Sequence, residues 1–517
     1  MKLRRRGTRR YGAVVAAVAG LLAVASPAFA QGVRVGETFA VKPPAERAMN
    51  PGYPEIRRFT SVAYDADNNK YLVAWGNFQI GARFVAADGT LEGTPVVLNE
   101  DHKSEARSAS TSRVACGAGI NTCLVTWIEE LPSSVICGRL VRYNAGNVQF
   151  LTDPFVVNQN GFPKFTESAP GVAYSPAASE FLVAWAEYSR EGRPDVKAQR
   201  VTVAGSPTGS TIPIAETNLW EGYPSLTYNS VQNEYVVAYY YETDSGTNAV
   251  AVQRIQPGTG ALIGGRSTLI SSLFDGYPEV AYDSTRNQYL AISWHVLADG
   301  TWLLNGRFTD GNGEPLGSGA IPLAARGGGS SGSGIAYNPV SDTYFCVYQS
   351  QTNDEVWGVI VSSSGLPGYQ FQVTFSGTRL AVNMRTAASS NADRWLAVAS
   401  ENYARVMGQL VEQGTVQPPS PPPPPSPIAC TTPQPGADWT CDTTTGNWLP
   451  PAGSGTGGGT TGCPTIQPAP DWTCVNGNWL PPGVGAGSAC PGTAPAPSWV
   501  CLNGNWLPPN HPLLIGG

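Results

Sequence analysis

Catalysis at neutral pH calls on imidazoles, thiolates, paired carboxylates or phosphate-cradling glycines, and this chain offers few of them in useful patterns. Its three histidines, His102, His295 and His511, stand singly. His295, directly after Trp294 in a strand-like run, reads as a packing residue. No nucleophile elbow between a strand and a helix, no H-E-x-x-H and no phosphate loop is read in the sequence. Asp310-Gly311-Asn312-Gly313-Glu314 resembles a calcium loop but lacks the full D-x-D-x-D-G order, and its Gly and Asn suit a tight strand connection better. No catalytic residue, metal ligand or cofactor is assigned from the sequence.

What remains is chemistry of recognition. Carboxylates stand near aromatic rings at Glu129, Glu187, Tyr188, Tyr241, Glu242 and Asp244. Such groups can grip sugars, a cation or a basic protein patch, although solvated acidic loops with local pairs, such as Glu191 with Arg193, have the same composition and contribute little. Near the C-terminus, Trp472, Trp479, Trp499 and Trp506 are candidate platforms for sugar rings. The competing reading is that these indoles pack on nearby cysteines and prolines.

The compartment bears on how the ten cysteines are read. Residues 1–30 follow the plan of a secretory signal, with Arg4, Arg5, Arg6, Arg9 and Arg10 before an apolar run from Ala13 to Val24 and Ala28-Phe29-Ala30 as the cut. That run is too short to span a bilayer, and none later is longer, so no membrane span is expected. The expected location is extracellular or the cell surface, with the periplasm left open, where disulfides are permitted. A formal charge of -6 without basic runs after the signal argues against nucleic acid, which needs clustered Lys and Arg.

These residues need a scaffold, and the scaffold is a repeat. Ser61-Val62-Ala63-Tyr64, six residues, then Tyr71-Leu72-Val73-Ala74-Trp75 returns as Gly171-Val172-Ala173-Tyr174 with Phe181-Leu182-Val183-Ala184-Trp185, as Ser225-Leu226-Thr227-Tyr228 with Tyr235-Val236-Val237-Ala238-Tyr239, and as Glu279-Val280-Ala281-Tyr282 with Tyr289 and Trp294. Looser copies stand at Ile335-Ala336-Tyr337 and Ala387-Ala388. Runs this rich in β-branched and aromatic residues suit strands buried on both faces. In the copy Arg113-Val114-Ala115-Cys116, Cys116 takes the place of Tyr64 and Cys123 that of Tyr71, so antiparallel pairing would bring the two within disulfide reach. Cys137 and Cys346 fall in non-adjacent units and are expected to be buried thiols.

A third strand follows each hairpin, marked by Arg83, Arg139, Arg200, Arg254 and Arg307, and a glycine turn leads to a fourth. Loss of this arginine at Val359 and Gln409 fits a structural role, pairing with carboxylates or stacking on rings between units. Four strands recurring about every fifty to sixty residues, with seven central hairpins, predict an all-β, seven-bladed β-propeller over residues 31–417. The last unit lacks a fourth strand, and Gly36-Glu37-Thr38-Phe39-Ala40-Val41 is expected to supply it, closing the ring. The loop between the first two strands keeps one length while that after the second varies, so the variable loops are the expected recognition surface.

Residues 418–429 form a proline-rich linker, expected to be an extended rod. Three Cys/Trp repeats follow at 430–451, 463–482 and 490–509, separated by linkers at 452–462 and 483–489 and ending in a tail at 510–517. Asn-Gly at Asn476-Gly477 and Asn503-Gly504 is a strong hairpin signal that sets Cys474 opposite Trp479. Equal spacing predicts bridges Cys430–Cys441, Cys463–Cys474 and Cys490–Cys501, since units of about twenty residues cannot build a core.

The chain resembles bacterial secreted β-propeller proteins built from V-A-Y, Y-L-V-A-W and Q-R-V repeats, a likeness covering roughly residues 33–417 and implying fold and export more than activity. The expectation is a non-enzymatic, monomeric binding protein whose partner is a polysaccharide or an extracellular protein. The alternatives are a carbohydrate-active glycosidase or lyase, with two or three carboxylates in a deep axial pocket, and a structural matrix component.

Overall fold

A computed structural model describes residues 30–42, 60–77, 79–99, 108–130, 134–158, 169–188, 192–272, 275–296, 302–327, 332–349, 355–374, 381–401 and 405–415, with short tail strands at 440–442, 447–449, 473–475, 478–480, 500–502 and 505–507. The chain divides into two compact units, Met1–Pro419 and Ser420–Gly517. Residues 1–29 of the expected signal, His102, His511, Trp472, Trp499, Cys430, Cys463 and Cys490 lie outside the described residues.

The first unit is a seven-bladed β-propeller. Blade 3 shows the plan, with Gly171–Ser175, Glu180–Tyr188, Pro194–Thr202 and Pro207–Ala215 paired antiparallel in chain order. Blades 1, 4, 5 and 6 repeat it over residues 60–97, 221–272, 275–327 and 333–372, and blade 2, over 108–156, adds a short fifth strand, Asn147–Phe150, paired with the third strand Ser134–Asn144. Blade 7 takes three strands from Ala381–Ala388, Trp395–Glu401 and Arg405–Thr415, and its fourth is Ala30–Lys42. Phe39 pairs with Gly408 and Arg34 with Val411, so the anticipated closure is present. The closing strand also reaches the neighbouring blade, where Gln31 bridges Tyr369.

Hydrophobic burial lies between blades rather than within one. Seven clusters fill the seven seams; Leu182 and Ala184 of blade 3, for instance, pack with Tyr235, Val237 and Tyr239 of blade 4. This is why second strands read as continuous apolar runs, since each contacts a neighbour on both sides. Tyrosines at the Tyr71 position also tie the seams with polar bonds. Tyr235 donates to the Glu180 carbonyl at 2.8 Å, and Asn229 Nδ2 donates to Tyr289 at 2.6 Å, each from one blade to the next.

The constant hairpin turns have a local cause. Asn69, Asn121, Ser179, Asn233, Asn287 and Asp342 hold left-handed backbone at the same position, which short polar side chains tolerate best. The preceding tyrosine fixes this residue, as in Tyr64 to Asn69 at 2.6 Å and Tyr228 to Asn233 at 2.7 Å. In blade 2 the Tyr pair is replaced by the expected disulfide Cys116–Cys123. Cys137 and Cys346 are buried thiols.

Strand alternation revises the arginine repeat. Arg83, Arg139 and Arg307 oppose Val73, Val125 and Ala291 on the second strands, but Gln199, Gln253 and Gln409 occupy that register in blades 3, 4 and 7. Arg200 and Arg254 are one residue further on and so face the other side of the sheet. The shared position donates to carbonyls ahead of the fourth strand or at its start, Arg139 to Thr152 and Gln199 to Thr208, both at 2.8 Å. Arg200 and Arg254 instead pair with Glu180 and Glu234. Gln409 therefore retains the structural role, and Val359 departs from it.

In the second unit, the described strands form three hairpins that set Cys441, Cys474 and Cys501 opposite Trp448, Trp479 and Trp506; the last two have the register that their Asn-Gly turns imply, and the first reaches it across a four-residue connection.

Candidate functional site

Antiparallel order places the loops after second strands and the connections between blades on one face, opposite the constant hairpins. The residues expected to bind on that face are spread over three blades. Glu129 is 1% exposed and accepts from Trp127 Nε1 at 2.8 Å. Glu187 accepts from Trp185 Nε1 at 2.7 Å and pairs with Lys197 at 2.9 Å. Both carboxylates thus satisfy an indole two residues back on the same strand. Tyr188 is half-buried, while Tyr241 is buried, with its hydroxyl 2.7 Å from Thr268 Oγ1 and Arg266 over its ring. Glu242 meets Arg193 of blade 3 at 3.5 Å, and Asp244 is exposed.

The structure brings together a different set. Trp220, Tyr223, Tyr240 and Tyr277 form a half-buried aromatic cluster across blades 4 and 5. Tyr223 and Tyr277 come from adjacent blades with ring centroids 4.5 Å apart, and Trp220 meets Tyr240 edge-on at 5.2 Å. Two bulges place them. The first strands of blades 4 and 5 slip register between Gly222 and Ser225 and between Gly276 and Glu279, and both tyrosines adopt left-handed backbone there. A bulge re-aims a side chain that a regular strand would point elsewhere. The signal was present as Glu221-Gly222-Tyr223-Pro224 and Asp275-Gly276-Tyr277-Pro278, a glycine and a proline flanking one aromatic in two successive units.

Two residues further along these strands the chain reaches the axis. A cavity of about 150 Å³ is lined by all seven first strands. Its charged residues are Arg113, Glu279 and Arg385. Glu279 Oε1 lies 3.1 Å from Arg113 Nη2 and 2.6 Å from Arg385 Nη2, and its Oε2 accepts from Ser225 at 2.8 Å. Burial and the neighbouring Arg385 pull Arg113 down to about 9, with Glu279 opposing. Burial likewise lowers Arg385. All three stand three residues before the Tyr64 register, where other blades carry Ser61, Gly171, Ser225 and Gly334, so this inward position is either small or charged. Glycine is required at 334, where a Cβ would stand 2.9 Å from the Arg385 Cα of blade 7.

Chemically, this axial site is a cationic clamp on one carboxylate. Glycoside hydrolysis uses two carboxyl groups flanking the bond, and the described residues of the cavity lining supply one. Among the described residues, no group of three or more His, Cys, Asp or Glu is placed to hold a metal ion.

No protein-family model matches the chain, and no curated protein matches it in sequence. Among solved structures, the BP39L lectin from Burkholderia pseudomallei is similar at 12% identity and a TM-score of 0.50, over 70% of this chain and 99% of the lectin. An alpha-L-arabinanase of Penicillium chrysogenum, solved with arabinobiose, is 11% identical with a TM-score of 0.43, over 74% and 98% of the two chains. The Hadza microbial sialidase Hz136 is 8% identical with a TM-score of 0.41, over 65% and 73%. What the chain shares with the lectin is the fold.

Proposed function

We propose that the protein is a secreted, non-catalytic carbohydrate-binding protein, with its recognition surface on the variable-loop face of the ring and its Cys/Trp tail adding avidity. The observation that carries this reading is the cluster of Trp220, Tyr223, Tyr240 and Tyr277, half-buried on that face. Sugar rings present apolar C–H faces that stack on aromatic surfaces, while phenol and indole groups bond hydroxyls. Rings already packed against one another lose little conformational freedom on binding, which favours affinity. The ring architecture is one that a lectin also uses.

The enzymatic alternative has less support. Glu279 is engaged by two arginines and a serine, and among the described residues lining the axial cavity it has no second carboxyl beside it for acid and base roles.

A glycan array probed with the full secreted chain tests the proposal, alongside a Trp220→Ala/Tyr277→Ala variant and a variant with Trp472, Trp479, Trp499 and Trp506 changed to Ala. The expected result is retention on a defined class of glycan, a loss of about tenfold or more in the ring variant, and a loss in the tail variant confined to densely coated surfaces. No retention on any glycan, or release of shortened sugars during incubation, would overturn it.

A further inference from the structure

The axial clamp has a charge left over. Among the described residues, two guanidinium groups face one carboxylate, so the cavity carries a net charge of +1 on side chains that are each only 14% exposed. Bonding is also incomplete. Arg113 Nη1, Arg385 Nε and Thr386 Oγ1 are buried without a partner, although Arg385 Nη1 donates to the carbonyls of Ser333 and Met384 at 2.6 and 2.8 Å. Buried donors without acceptors are costly, and a buried uncompensated cation is more so. The two deficits coincide, and both are relieved by one negatively charged acceptor.

We propose that the axial cavity is a binding site for a small monoanion, chloride or a short carboxylate such as acetate, held between Arg113 and Arg385 on the side away from Glu279. The cavity sets the size limit. At about 150 Å³ it holds a halide or acetate together with part of its hydration, whereas a sugar acid would have to give up its water to enter. Arginine suits the task because its planar fork offers several donors and it is weakly hydrated. Bound there, the anion bridges the first strands of blades 2 and 7, which the sequence places far apart, and stiffens the axis from within.

Thermal unfolding of the full secreted chain tests this by titrating sodium chloride, sodium nitrate or sodium acetate against sodium gluconate at constant ionic strength. The expected result is a saturable rise in Tm for the small anions and none for gluconate. The rank of chloride against acetate identifies which chemistry the site prefers. Arg113→Gln removes the excess charge and should weaken the half-saturation concentration at least tenfold. Glu279→Gln raises the excess to +2 and should tighten it by a similar factor. These opposite signs keep the test decisive if one variant folds poorly. A Tm that responds equally to gluconate, or that responds identically in both variants, overturns the site.

Discussion

Thr38 and Gln409, 371 residues apart in the chain, share a hydrogen bond of 2.6 Å in which the threonine hydroxyl donates to the glutamine carbonyl. Gln409 Nε2 then donates to the carbonyls of Val35 and Gly36 at 3.1 and 3.3 Å. Gln199 and Gln253 treat their own fourth strands the same way, and each time the bonded connection holds a left-handed glycine, Gly36, Gly209 or Gly264. The N-terminal strand is thus a full fourth strand supplied from the other end of the chain. Gln409→Leu takes the donor from the partly exposed carbonyls of Val35 and Gly36 and the acceptor from Thr38, and should lower stability by about 0.5–1.5 kcal/mol. Urea unfolding should show a lower midpoint at unchanged slope, the mark of altered stability alone. A midpoint equal to the parent's would mean the clasp is held by backbone pairing alone.

The blades were legible in the sequence because each second strand is buried on both faces, which leaves a long apolar signal such as Tyr71-Leu72-Val73-Ala74-Trp75. The closing strand was legible through an edge that would otherwise be left open. The arginine repeat was misgrouped, since Arg83 and Arg200 differ by one register and strand geometry turns that difference into opposite faces. The axial clamp was not legible at all. Arg113, Glu279 and Arg385 each look like one charge ahead of an apolar strand, and only closure of a seven-blade ring brings them together. The aromatic cluster escaped notice because its placement depends on bulges, which periodicity does not reveal.

Blade 2 should depend on its disulfide. Cys116 and Cys123 enclose a short loop, with a sequence separation of 7, and replace the Tyr–Tyr contact that Tyr64 and Tyr71 make at 5.2 Å. Chain-entropy arguments give a bridge of this span about 2–3 kcal/mol. Cys116→Ser/Cys123→Ser should therefore unfold at lower denaturant, and blade 2 amides should exchange hydrogen faster than those of blade 5. Uniform exchange across the ring would show that neighbouring seams hold the blade without the bridge.

Tyr223 and Tyr277 allow function and stability to be separated. Their φ values of 52° and 55° are unfavourable for bulky residues, and strain of this kind concentrates at functional sites. Replacing both with glycine removes strain of about 1 kcal/mol each but also removes two rings from the cluster. The expected outcome is a Tm within a few degrees of the parent and glycan retention reduced at least tenfold. Loss of Tm without loss of binding would assign the tyrosines to packing.

Asp195 gives the sharpest expectation for pH. Burial pushes its carboxyl up to about 6, Lys197 opposes this, and Glu216, Glu221 and Glu187 reinforce it. The fold therefore favours the protonated form more than the unfolded chain does. Its contribution to stability is fully present below the ordinary aspartate value near 4 and is lost as pH rises through about 6. Above that range the folded protein carries a poorly solvated charge, 8% exposed, beside three other carboxylates. Asp195→Asn should match the parent near pH 4 and exceed it near pH 7.5 by roughly 1–2 kcal/mol, a figure reduced from the full linkage value to allow for solvent screening. Denaturant midpoints at the two pH values measure the difference. A variant less stable than the parent at the higher pH would mean that ionised Asp195 stabilises the fold through Lys197, reversing the assignment.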